Sequence, residues 1–309
     1  MKKIYKLTPI TFANIWGGNK LRMYGKTSDS DRIGESWELS FVNGREAEAD
    51  GIKASELFKK SSWGTRAEKF DFFPVLTKFI DAKEKLSVQV HPSDEYALKH
   101  EGQYGKSEMW YVVSADEGAG IYIGFNQDFT KQEIKDAVSD GSIENMLSFK
   151  SVKAGDVFFI PAGTVHAICG GVLIFEIQQN STLTYRLYDY QRRDENGNTR
   201  ELHVDMAMNI LNTGRYLQGD FNSQNVSKRR LIGQCEYFTV NEYSLTNSFA
   251  KIVIDDSSFK SLTVVSGECK IETCEEQILA KQGDSFFIPA QSKTDVTISG
   301  NATVISVEV

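Results

Sequence analysis

Three short stretches carry side chains able to share one divalent cation. Leu86-Ser-Val-Gln-Val-His-Pro92 reads as a strand, and a strand's period of two puts Gln89 and His91 on one face. Lys106-Ser-Glu108-Met109 opens the next strand-like run, and Pro161-Ala-Gly-Thr-Val-His166 places a histidine just after a strand-ending turn. Two imidazoles and a carboxylate suit a borderline divalent metal such as Zn²⁺. Three or four protein ligands leave a position for water or substrate oxygens. The chain has only four histidines. Of the other two, His100 closes a helical piece, where a cation suits the dipole, and His203 in Arg-Glu-Leu-His-Val-Asp reads as structural.

An internal repeat supplies a control. Ala154-Gly-Asp-Val-Phe-Phe-Ile-Pro-Ala162 returns as Gln282-Gly-Asp-Ser-Phe-Phe-Ile-Pro-Ala290, an offset of 128. Trp110-Tyr-Val-Val-Ser-Ala-Asp116 returns as Leu262-Thr-Val-Val-Ser-Gly-Glu268, an offset of 152. The first copy therefore carries an insertion of 24 residues. Asp128–Leu147 fits it: Thr130 and Glu133 form a capping box, and Ile134, Ala137 and Val138 share a helical face. Gly141 ends that helix and Ser142 is positioned to cap another. In the second copy Lys260 stands for Glu108 and Thr294 for His166. The repeated scaffold does not need the ligand set, so those residues are grafted function.

The elements that must position these groups are short β-branched and aromatic runs bounded by Gly, Asp and Asn. They are 86–90, 109–113, 121–125, 157–160, 172–177, 262–265, 286–288 and 304–309, with helical pieces at 54–60, 94–100 and 204–211. The expected class is mainly β: two barrels or jelly rolls with a few short helices inserted in the N-terminal half. The expected domains are 1–220, carrying the metal, and 221–309, without ligands. A net charge of −7 excludes a non-specific nucleic-acid binder. No window approaches the roughly 18 apolar residues of a membrane span. Met-Lys-Lys at the start is followed by no apolar core, and the expected location is cytoplasmic. The four cysteines form no Cys-x-x-Cys pair and are expected as free thiols.

Gln89-Val-His91-Pro92, Lys106-Ser-Glu108-Met109 and Pro161–His166 together resemble type I mannose-6-phosphate isomerases, a cupin family. Trp16-Gly17-Gly18, Gly34-Glu-Ser-Trp-Glu38 and Asn180-Ser181 with Tyr185-Arg186 resemble further signatures of that family. Too few residues separate Glu108 from His166 for the helical domain of longer members, so the chain resembles the short bacterial form. The resemblance implies a bicupin fold and interconversion of mannose 6-phosphate and fructose 6-phosphate. It implies one zinc per chain on Gln89, His91, Glu108 and His166, Arg186 as an active-site cation, and Trp16 near the substrate. A sugar phosphate is then the partner, and the chain a monomer or homodimer.

Aldose–ketose isomerisation moves a proton between C1 and C2 through an enediol(ate), and needs a base and a cation near the oxygens. Lys106 shares a face with Glu108 if extended. Glu176 is a carboxylate in the apolar run Leu173-Ile-Phe-Glu-Ile, costly unless partnered. Both are candidates for the chemistry. Lys85 and Ser87 alternate on Gln89's side and are candidates for the phosphate. The rival readings are an iron dioxygenase of cupin type, whose two-His-one-carboxylate site is similar, and a non-catalytic sugar-binding cupin.

Overall fold

The computed structural model describes residues 4–194, 196–217, 228–290 and 294–309, with backbone alone at 225–226. The expected boundary at 220/221 lies outside the described residues.

Alternating patterns give way to near-continuous apolar runs where a strand is covered on both faces. Val75–Ala82 and Val172–Gln179 are buried at every position. They sit centrally in a six-stranded antiparallel sheet, ordered Val157–Ile160, Glu108–Ala115, Val172–Gln179, Val75–Ala82, Glu35–Leu39, Ile10–Phe12. A five-stranded sheet runs Leu147–Ser151, Gly120–Phe125, His166–Ile168, Val88–Val90, Tyr185–Tyr188. Side chains from both meet in one interior core: Trp16, Ile80, Leu86, Trp110, Ile121, Ile168 and Ile174.

The inserted segment covers the outer face of the five-stranded sheet. Its helix spans Lys131–Asp140 with the capping box as expected and Gly141 left-handed at φ 81°. Ile134, Ala137, Val138 and Ile143 pack on Val88, Val90 and Leu187. Each of the isoleucines and valines, when fully buried, contributes about 1.5–3 kcal/mol, which fixes the insertion to the sheet. Ser142 departs from expectation. It precedes a single 3-10 turn, Ile143–Met146, and its side chain caps nothing; the Asn145 N–H that it could have capped donates to the Ser142 carbonyl at 2.9 Å.

The third sheet is ten-stranded and holds the second copy, with the N-terminal strands Tyr5–Thr8, Glu48–Ala49 and Ile52–Lys53 added at one side. Its long strands Thr239–Ile254 and Thr294–Glu308 pair along their length around Leu262, Val264, Phe286, Ile298 and Val304. The repeat is structural as well as sequential. Ile160 pairs with Glu108 in one sheet, and Ile288 pairs with Lys260 in the other. Where copy one presents Glu108, copy two closes an ion pair, Lys260 with Glu308.

The six-stranded sheet packs its second face on this unit through Phe79, Phe175, Phe259, Phe287 and Ile305. A buried ion pair lies in the seam. Lys26 Nζ donates to Glu38 at 2.8 Å and to Gly283 O at 2.6 Å. Ser36 and Ser285 hydroxyls complete the carboxylate at 2.6 and 2.8 Å. A charge this deep is tolerable only when so fully paired.

Candidate metal centre

Strand register builds the site. His166 lies opposite Gln89, and Gln89 lies opposite Arg186. Directly opposed residues point to the same side, so one row of the five-stranded sheet presents His166, Gln89 and Arg186 to the interior. Glu108 comes from the facing sheet, at the head of Glu108–Ala115. The turn that delivers His166 depends on Gly163, left-handed at φ 85°, whose N–H donates to His91 O at 2.8 Å.

Among the described residues His91, Glu108 and His166 form the one group of His, Cys, Asp and Glu side chains with a metal-binding arrangement, their ligand atoms within 4.8 Å of one another. All three are at most 1% exposed. His91 Nε2 is 3.1 Å from Glu108 Oε1 and His166 Nε2 is 3.6 Å from Oε2. His166 Nδ1 faces Thr164 O at 2.8 Å. That carbonyl holds the proton on Nδ1 and leaves Nε2 as a lone pair aimed at the cluster. Gln89 Nε2 is 3.4 Å from His166 Nε2; turning the amide over presents its oxygen as a fourth donor. Glu108 Oε1 is buried without a hydrogen bond, although Lys106 Nζ approaches it at 2.5 Å. Two neutral imidazoles, a carboxylate and an amide fit a borderline divalent metal.

The electrostatics keep the ligands in binding form. Burial, with Lys106 beside it, pushes the His91 imidazole down to about 3, and burial lowers His166 too. Burial works to raise Glu108, but Lys106 and His91 outweigh it and hold the carboxyl well below the usual range. At neutral pH both imidazoles are neutral and the carboxylate is charged.

Behind Glu108 stands a second layer. The Trp110 indole N–H is shared between Glu108 Oε2 at 3.0 Å and Glu176 Oε2 at 2.9 Å. Glu176 meets Lys78 Nζ at 3.1 Å. Burial and the Glu108 charge raise Glu176 despite that lysine. Lys78 is held charged: burial opposes, but Glu176 and Glu35 prevail.

Residues 4–117 match the family model "Phosphomannose isomerase type I, catalytic domain", and residues 228–309 match "Mannose-6-phosphate isomerase, cupin domain". A mannose-6-phosphate isomerase from Streptococcus mutans is 36% identical over 289 residues, 91% of this chain and 90% of that one. The chain belongs to the type I mannose-6-phosphate isomerase family. A solved mannose 6-phosphate isomerase from Bacillus subtilis superposes with a TM-score of 0.91 at 34% identity, covering 100% of both chains. A zinc-bound mannose 6-phosphate isomerase structure shares the fold, with a TM-score of 0.79 at 15% identity over 99% of each chain.

The remaining candidate residues lie at and around this cluster. Lys106 is 5% exposed and reaches His91 Nε2 at 3.3 Å, inside the cluster. Arg186 is beside Gln89, with Nε on Ser87 Oγ at 3.2 Å and a terminal nitrogen on Glu201 O at 2.9 Å. Ser87 thus orients Arg186. Glu176 is one indole removed from Glu108. Trp16 is 3% exposed within the interior core. Lys85 is neutralised by Glu144 of the inserted segment. His100 stacks on Tyr96 with ring centroids 4.3 Å apart, and His203 accepts the Arg186 N–H at 3.2 Å; both are away from the ligand cluster, as expected. Sequence reasoning missed Lys78, Trp110, Asp189, Arg192 and Arg200. A lone lysine in Val75-Leu-Thr-Lys-Phe-Ile was a usable signal, since a buried charge requires an opposite partner.

Proposed function

We propose that the protein interconverts mannose 6-phosphate and fructose 6-phosphate with one Zn²⁺ held by Gln89, His91, Glu108 and His166. The observation that carries this reading is the buried two-imidazole, one-carboxylate cluster with a guanidinium, Arg186, next to Gln89 in the same cross-strand row. The metal would supply Lewis acidity to the sugar's carbonyl oxygen as charge develops there.

The chain's own groups do the rest. Glu108 stays ionised because Lys106 and His91 lower its pKa, and the Trp110 N–H, shared with Glu176, holds it in place. Lys106 lies beside the ligand atoms and is buried. We assign it to proton transfer: the ammonium protonates the carbonyl oxygen, the amine so formed takes the C2 proton, and that proton goes back to C1 as the amine takes the proton of the other hydroxyl. Arg186 is preorganised by Ser87 and Glu201 to hold anionic oxygen. The interior core that includes Trp16 closes the far side of the site and excludes water. Lys85 and Ser87 act at one remove, Ser87 through Arg186. We assign residues 1–220 to the catalytic unit and 221–309 to a metal-free support. Its free cysteines suit a reducing compartment, and we place the enzyme in the cytoplasm.

The test is to incubate zinc-loaded protein with mannose 6-phosphate in D₂O and follow fructose 6-phosphate by a coupled NADP readout. Turnover with solvent deuterium at C1 or C2 supports proton transfer. Binding without turnover would overturn the reading.

A further inference from the structure

One acidic side chain near the metal row is outnumbered by cations. Asp189 is 4% exposed and follows directly on Tyr185–Tyr188. Both its oxygens are spent on guanidiniums: Arg200 Nε at 2.7 Å on Oδ2, and Arg200 and Arg192 terminal nitrogens at 2.5 Å on Oδ1. Arg192 also donates to Lys85 O at 2.5 Å. That carbonyl precedes Ser87, the residue that orients Arg186. Burial and the charges of Arg200 and Arg192 make Arg186 less basic, with Asp189 and Glu201 opposing.

The count is three guanidiniums against one buried carboxylate. Glu201 is too exposed to balance it, its side chain 84% accessible and turned to His203 at 4.0 Å. Arg192 Nε is buried with no hydrogen-bond partner. Arginine forks match the oxygens of a phosphate in pairs, and a dianion would neutralise the surplus charge. Position agrees with this. Arg186 stands beside the metal-ligand row, and Asp189 lies three residues further along the chain, about 10 Å at strand rise. A six-carbon sugar bearing its phosphate on the terminal carbon can place its reacting end at the metal row and its phosphate among these arginines.

We propose that Arg192 and Arg200, clamped by Asp189, join Arg186 to form the subsite for the phosphate of the substrate. Lys85 is matched one to one by Glu144 and adds no surplus charge. The proposal rests on the isomerase reading, which identifies the ligand as a sugar phosphate.

The experiment uses the zinc-loaded full chain and two variants, Arg200→Gln and Arg192→Gln, with inorganic phosphate as the probe. Losing a charge-assisted pair should raise KM for mannose 6-phosphate, and the inhibition constant of phosphate, about tenfold or more, with kcat little changed. Arg200→Lys, which keeps the charge and the fold but not the fork, should fall between. Unchanged KM and unchanged phosphate inhibition would overturn the proposal, as would a fall in kcat alone. If the unaltered enzyme does not turn over mannose 6-phosphate, the isomerase reading fails separately. Calorimetric binding of inorganic phosphate then decides the subsite: binding lost in Arg200→Gln upholds it, and equal or absent binding refutes it.

Discussion

Replacing Trp110 by Phe isolates the layer behind the metal ligands. Phenylalanine keeps an aromatic ring against His166, whose ring centroid is now 5.3 Å from the indole. It removes one N–H. That N–H is the shared donor to Glu108 at 3.0 Å and Glu176 at 2.9 Å, two carboxylates that are 0% and 2% exposed. A hydrogen bond to a charged group contributes about 1.5–3 kcal/mol. Loss of a group that orients a metal ligand typically weakens metal binding by about 10–100-fold, or roughly 1.4–2.7 kcal/mol. Both ranges describe the same bond, so they are not to be added. The expected result is a zinc affinity lower by about tenfold or more, measured by competition with a chromophoric chelator. Thermal unfolding of the metal-free protein should show a loss of about 2 kcal/mol. Zinc affinity and Tm both equal to those of the unaltered protein would refute the idea that Trp110 positions Glu108.

Two further outcomes follow from the same structure. Gly283 is left-handed at φ 88°, and a Cβ there would lie 2.1 Å from Tyr24 O; Gly283→Ala should cost about 3 kcal/mol by strain and clash at the seam, read as a lower denaturation midpoint. Acid should destabilise the metal-free protein early. His91 is held at about 3 when folded against about 6.5 unfolded, so the folded state binds fewer protons in that window. Its contribution is complete above about 6.5 and is lost as pH falls toward 3. His166 and, at lower pH, Glu108 act in the same sense, while the raised Glu176 returns part of the loss. Urea midpoints that stay flat or rise from pH 7 to pH 5 would contradict this, and His91→Asn should flatten the dependence.

Local signals were legible in the sequence where local chemistry decides. Thr130, Glu133 and Gly141 bound the inserted helix by their own hydrogen bonds and backbone freedom, and 94–100 is helical to the residue. The clustering of His91, Glu108 and His166 was legible because period two and the repeat point to the same residues: Lys260 and Thr294 mark what the scaffold does without. Ser142 misled because a capping residue type does not secure a cap when the Asn145 N–H, three residues on, donates to the Ser142 carbonyl instead of the hydroxyl. Long-range pairing is not encoded in any local pattern. Nothing near Tyr5–Thr8 announces that it pairs with Ser285–Ile288. The Asp189 cluster is local, with Arg192 and Arg200 only three and eleven residues on, and it was missed because no period or motif marks the turn that brings them back to the carboxylate. Glu176 was correctly singled out as needing a partner, but its partner Lys78 lies 98 residues away by sequence and one strand away by register.

The central claim is that one metal, held by His91, Glu108 and His166 with Gln89, makes this chain an isomerase. The most direct measurement is activity on mannose 6-phosphate during titration of chelator-stripped protein with Zn²⁺, with metal content measured in parallel. Activity should rise from zero and saturate at about one zinc per chain, the single-site limit for a three- or four-ligand centre, and His166→Ala should lose both metal and turnover. Full activity in the stripped protein, or in His166→Ala, would contradict it.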